Sequence, residues 1–202
     1  MVNNAPSVYN APSVYKTAGG GGGTPQPDPS LYKLYSCLKA NTADAPDTSG
    51  VNISIYDTDK INSFVYFDDG YLELYTTSKR LCGIQKISST TLRLYGLGGN
   101  EYIDAGNVPG YFNIESVQNT YKINGVPKTV GSILTGAGSL QYLFKSPVNS
   151  IFFYLSVFDV DGNEKYKFVP CMRLQDNRKG ILELYTNSFL PCPNTWDLVG
   201  PI

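Results

Sequence analysis

From Val51 onward the chain repeatedly alternates apolar and polar residues with a period of two. Val51-Asn52-Ile53-Ser54-Ile55-Tyr56, Ser63-Phe64-Val65-Tyr66-Phe67, Tyr71-Leu72-Glu73-Leu74-Tyr75 and Thr91-Leu92-Arg93-Leu94-Tyr95 are short, rich in β-branched and aromatic residues, and bounded by Gly, Asp, Asn or Pro. Ile151 to Phe158 is a more continuous apolar run of the same length class. Side chains on a strand point alternately to its two faces, so these segments predict strands, most with one wet face. Asp68-Asp69-Gly70, Asn124-Gly125 and Asp161-Gly162-Asn163 supply residues that tolerate positive φ and predict hairpin turns. Only Leu31 to Lys39 admits a short helix, and it is too short to set a period. The expected fold is all-β, an antiparallel sandwich or jelly-roll-like domain, behind an extended N-terminal arm.

The arm has a different grammar. Asn4 to Tyr9 and Asn10 to Tyr15 both spell NAPSVY, five glycines occupy positions 19 to 23, and Pro25, Pro27 and Pro29 alternate with other residues. Prolines fix an extended course, whereas glycines leave the chain free. The organisation that follows is an anchoring arm over 1–18, a Gly/Pro linker over 19–30, and a β domain over 31–202. Each NAPSVY unit joins a stiffened backbone to an apolar Val-Tyr pair, the sort of segment that docks in a groove or adds to a sheet edge. Val8, Tyr9, Val14 and Tyr15 are therefore the expected anchors, with Pro6 and Pro12 setting the backbone. Gly19, Gly20, Gly21, Gly22 and Gly23 would absorb a symmetry mismatch between anchor and domain.

Charge and chemistry narrow the choices. Sixteen Lys+Arg against 17 Asp+Glu give a net charge of -1, and no basic stretch suits a run of phosphates, so nucleic acid is not an expected partner. No apolar run has the length of a membrane helix, so no membrane association is expected. The chain has no histidine, and Cys37, Cys82, Cys171 and Cys192 form no CxxC pair, which excludes a Cys/His zinc site. Ser-His-Asp and Cys-His chemistry is excluded with it; no enzyme activity, metal or cofactor is expected. The cysteines read as buried thiols of a protein assembled in a reducing cytoplasm. Asp159-Val160-Asp161-Gly162 resembles part of a calcium loop but lacks the downstream acid, so it reads as a turn. Gly96-Leu97-Gly98-Gly99 lacks a P-loop lysine and reads as a loop. Gly70 to Ser78 and Gly180 to Ser188 echo each other at most positions, and read as two similar strand-turn units. The 16 tyrosines suit strand packing and subunit contacts first, and sugar stacking second.

Ile151 to Gly162, then Lys167-Phe168-Val169-Pro170-Cys171-Met172-Arg173, Asp176-Asn177-Arg178-Lys179-Gly180-Ile181-Leu182-Glu183-Leu184 and Phe189, resemble a segment of gut-bacteriophage structural proteins that closes a laminin-G/concanavalin-like β-sandwich. Here Leu182-Glu183 replaces the usual Tyr-Asp. Tyr102 to Gly106 and Ser139 to Phe144 look like further strands of such modules. The opening APSVYK with its following glycines resembles the N-termini of virion appendage proteins in crAss-like phages, head fibres among them. The resemblance implies a non-enzymatic virion protein, assembled in the host cytoplasm. It would be a capsid-decorating head-fibre subunit, homo-oligomeric with a trimer ahead of a dimer, attached to capsid or other virion proteins and adhesive to host-surface carbohydrate. A tail receptor-binding or carbohydrate-binding protein is the alternative, and a glycan hydrolase stands behind both.

Overall fold

The computed structural model describes residues 25–49, 51–76, 80–95, 100–118, 120–130, 137–144 and 147–201. Among them every regular element is a strand. In chain order these are β1 (Tyr32–Lys39), β2 (Ser54–Tyr56), β3 (Lys60–Phe67), β4 (Asp69–Thr76), β5 (Arg80–Lys86), β6 (Thr91–Tyr95), β7 (Asn100–Asp104), β8 (Gly110–Val117) and β9 (Thr120–Ile123). There follow β10 (Val126–Thr129), β11 (Ala137–Leu143), β12 (Pro147–Val148), β13 (Ile151–Phe158), β14 (Glu164–Arg173), β15 (Arg178–Glu183), β16 (Ser188–Pro191) and β17 (Asp197–Pro201).

The strands form two antiparallel sheets. A ten-stranded sheet runs β10-β9-β8-β3-β13-β1-β14-β15-β16, with β17 on β1, and a seven-stranded sheet runs β2-β11-β4-β5-β6-β7, with β12 on β4. Their facing sides meet in one core: Ile61, Val65 and Phe67 of β3, Phe112 and Ile114 of β8, and Phe168 of β14 meet Leu72 and Leu74 of β4, Ile84 of β5, and Leu92 and Leu94 of β6. The expected β-sandwich is the observed architecture. Alternation explains it directly, since Ile61, Ser63, Val65 and Phe67 are buried while Asn62, Phe64 and Tyr66 between them are only partly so. At β14 to β16 the ten-stranded sheet buries its outer face too. Val169, Cys171, Leu182 and Leu184 form a second cluster there, covered by Tyr32, Leu34 and Phe189.

Two expectations need correction. Leu31 to Lys39 does not contain a helix, because β1 is claimed by three strands: Tyr32 to Leu34 face Arg173 to Cys171, Leu38 and Lys39 face Phe152 and Ile151, and Tyr35 to Lys39 face Pro201 to Asp197. β13 and β14 are themselves antiparallel and pair over Leu155–Phe158, and β1 lies beyond that pairing with its start antiparallel to β14 and its end antiparallel to β13. Asp68-Asp69-Gly70 is not a hairpin turn. β3 pairs with β8 and β13, whereas β4 pairs with β5, β11 and β12, so the segment is a corner at which the chain changes sheet. Gly70 has φ 80° there, as its residue type permits. The other two turns are hairpins: Asn124 (φ 49°) and Gly125 (φ 83°) join β9 to β10 in the two-residue form, and residues 159–163 join β13 to β14. The echoing segments both contribute strands, β4 and β15, in different sheets.

Candidate functional site

The expected anchors Pro6, Val8, Tyr9, Pro12, Val14 and Tyr15, and the expected linker glycines Gly19 to Gly23, lie outside the described residues, as do 96–99 of the glycine loop. The described residues begin at Pro25, among the alternating prolines of the expected linker. The amides of Leu31 and Tyr32 both donate to the Asp28 carbonyl at 3.0 Å, and the Ser30 amide and hydroxyl donate to the Asp28 carboxyl at 2.8 and 2.6 Å. This turn delivers the linker into β1 beside a groove of about 580 Å³ lined by Gln26, Pro27, Pro29, Tyr32, Lys33, Leu34 and Leu174.

The turn at Asp159 uses its own carboxyl. Oδ1 accepts the amides of Asp161 (3.0 Å) and Asn163 (2.8 Å), and Oδ2 accepts the Asn163 side-chain amide at 3.1 Å. Those bonds, the Asn163 side-chain bond foremost, hold the Asp159 carboxyl below its usual pKa. Those same bonds close the hairpin between β13 and β14. Among the described residues no three or more His, Cys, Asp or Glu side chains group as metal ligands would. Cys37, Cys171 and Cys192 are buried free thiols, Cys171 and Cys192 belonging to clusters on opposite faces of the sheet. Burial pushes the Cys37 thiol up to about 11 and raises the other two as well, so all three are poor nucleophiles.

The C-terminal motif residues have structural tasks. Arg173 donates to both carboxyl oxygens of Asp176, at 3.1 and 2.6 Å, which closes the β14–β15 hairpin, and its guanidinium lies 4.5 Å from the Phe189 ring centroid. Asn177 takes φ 54° in the same turn. Glu183 is completely buried and accepts four hydrogen bonds.

The most chemically loaded surface lies on the outer face of the seven-stranded sheet. Leu72, Ile84, Leu92, Leu94 and Ile103 point inward, which turns the intervening residues out. Register then sets Tyr71 opposite Gln85, Gln85 opposite Arg93 and Arg93 opposite Tyr102, a single row across four strands. Three strand spacings of about 4.8 Å place its ends roughly 14 Å apart. Tyr71 is 37% and Tyr102 48% exposed. The row is wired together. The Gln85 amide donates to the Tyr71 hydroxyl at 2.9 Å, the Tyr95 hydroxyl donates to the Gln85 carbonyl oxygen, and Arg93 donates from Nη1 to Tyr95 (3.4 Å) and from Nη2 to Tyr102 (2.9 Å). The guanidinium carbon sits 5.8 and 5.3 Å from the ring centroids of Tyr95 and Tyr102. The hydrogen bonds to Tyr95 and Tyr102 raise the Arg93 pKa, and the neighbouring Tyr95 hydroxyl raises the Tyr71 pKa.

Beneath this row, just past the Ile84–Leu94 pair, Tyr121 of the other sheet reaches through the core, 1% exposed. Its hydroxyl accepts from the Gly83 amide at 2.9 Å and donates to the Tyr95 carbonyl, holding β5 and β6 together and fixing the strand that carries Arg93 and Tyr95. Period-two alternation already places Tyr71 opposite in face to Leu72, and Arg93 to Leu94. What sequence reading missed is the cross-strand row itself, because register across four strands leaves no local signal.

Compared with models of protein families, with curated proteins and with solved structures, the chain matches none. The functional reading rests on its own residues.

Proposed function

We propose that this chain is a structural subunit of a bacteriophage virion, of the crAss-like head-fibre type: residues 1–18 attach it to the capsid, residues 19–30 act as tether, and the β-sandwich projects outward, adhesive to host-surface glycans. The observation that carries this reading is the order of parts. A tandem apolar repeat, a glycine tract and alternating prolines lead, through the Asp28 turn, straight into β1 of the ten-stranded sheet. Two equal docking units on a compliant tether suit a partner with repeated symmetric sites, which a capsid offers. The β14 to β16 meander adds support, since Arg173, Asp176, Gly180 and Phe189 of the phage-like motif brace one another. Subunits assemble as a homo-oligomer, a trimer ahead of a dimer.

The tyrosine row favours the adhesive part of this reading over a purely architectural one, and keeps a tail receptor-binding protein as the second reading. Deleting residues 1–18 should leave a soluble domain with the melting transition of the full chain that no longer joins particles. Normal incorporation of the truncated protein into virions would refute the anchoring role.

A further inference from the structure

We propose that the outer face of the seven-stranded sheet, centred on Arg93 between Tyr71 and Tyr102, binds an acidic saccharide. This deepens the adhesive part of the proposed function and rests on it.

The hydrogen-bond arithmetic of the row selects the ligand. An arginine has four terminal N–H groups and one at Nε. Arg93 uses two terminal ones, on Tyr95 and Tyr102, so two terminal N–H groups remain unengaged by described residues. No carboxylate among the described residues pairs with it; what surrounds its charge is two tyrosine hydroxyls and two ring faces. Tyr102 accepts from Arg93, so its own proton is left to donate outward. The Gln85 carbonyl oxygen is already taken by Tyr95. The row therefore offers a surplus of donors and one positive charge that its neighbours leave uncompensated. A neutral sugar, whose hydroxyls donate as readily as they accept, leaves that charge unanswered; a carboxylate answers it, and the planar guanidinium fork matches it.

The rest of the surface argues for a saccharide rather than a bare anion. Tyr71 and Tyr102 present exposed rings about 14 Å apart across three strand spacings, the reach of a short oligosaccharide laid across the strands. Each pairs an apolar face with a polar tip, as stacking on a pyranose requires. The wiring through Gln85 and Tyr95 holds these groups in place before any ligand arrives, which lowers the ordering cost of binding.

The test uses the full chain, titrated calorimetrically with 3′-sialyllactose, a glucuronate-containing disaccharide, lactose and sodium acetate. At least one acidic sugar should bind about tenfold more tightly than lactose, the scale of one charge-assisted hydrogen bond, and weaken as salt is raised. Acetate at equal concentration should not displace it. Arg93→Gln should weaken acidic-sugar binding about tenfold or more, and Tyr102→Phe, which keeps the ring and loses the donor, several-fold. Melting transitions of both variants show whether each is folded, and Tyr102→Phe carries the test if Arg93→Gln is not. Binding of neither acidic sugar, equal binding of lactose, full displacement by acetate, or unchanged affinity in the folded variants would each overturn the proposal. A chain that binds the acidic sugars yet is missing from particles would fail the virion reading and leave this site standing; a decorated particle whose subunit ignores them would do the reverse.

Discussion

Glu183→Ala should be among the most destabilising single substitutions in the β domain, costing roughly 2–4 kcal/mol on the scale of orphaned buried donors. Glu183 is 0% exposed, and its Oε1 accepts the amides of Lys167 (2.9 Å) and Tyr185 (3.1 Å) while its Oε2 accepts the amide and hydroxyl of Thr186, both at 2.7 Å. Removing the side chain leaves the buried Lys167 amide without its acceptor and frees the turn that leads into β16. Glu183→Gln keeps one oxygen and sets an amide N–H against donors, so it should fall between wild type and alanine. At about 2–4 °C per kcal/mol for a domain of this size, the alanine variant should melt about 5–15 °C lower. Chemical denaturation reads the same quantity, and an alanine midpoint equal to wild type would mean that the carboxyl does not organise this turn.

Gly180→Ala should cost a comparable amount, about 2–3 kcal/mol, toward the upper end for overpacking. The obstacle is space. A Cβ on Gly180 would lie 2.5 Å from the Leu190 carbonyl oxygen and 2.5 and 2.6 Å from Cε2 and Cζ of Phe189. A side chain can step aside, but the carbonyl belongs to the paired strand, where Gly180 stands opposite Pro191, so β15 and β16 must part. A double-mutant cycle separates the two clashes. Phe189→Ala should recover part of the cost of Gly180→Ala, the ring's share, and leave the backbone share. Equal stability of Gly180→Ala and wild type by denaturant titration would contradict the close packing described for this hairpin.

Both residues show where sequence reading ran out. Gly180 and Glu183 lie inside the phage-like motif and the echoing strand-turn unit, so their segment was legible as a strand, and it is one. Their tasks were not legible. A glutamate flanked by leucines on a strand reads as a solvent-facing residue, and only the turn folding back onto it makes the site dry. The alternation of β3, β4 and β6, the apolar run of β13 and the Asn-Gly hairpin were readable because all depend on residues adjacent in sequence. β1 was ambiguous, since Tyr32-Lys33-Leu34-Tyr35-Ser36-Cys37-Leu38 has no clean period and its extended form is imposed by β13, β14 and β17, which follow more than a hundred residues later. Asp68-Asp69-Gly70 has the chemistry of a turn, but nothing local distinguishes a turn that returns to the same sheet from one that crosses to the other. The tyrosine row is the strongest case. Each member sits on its own strand with an ordinary neighbour, and the surface exists only once the three registers among four strands are set together.

The central claim is that the domain is carried on the virion by its N-terminal arm. The most direct measurement is electron cryomicroscopy of purified particles that carry this chain, with its copy number determined by quantitative mass spectrometry of the same preparation. The expected result is a projecting density at symmetry-related capsid positions, tens to hundreds of copies per particle as repeated symmetric sites require, with its tether at the capsid surface. Absence of the chain from purified particles, or a handful of copies confined to the tail, would contradict it.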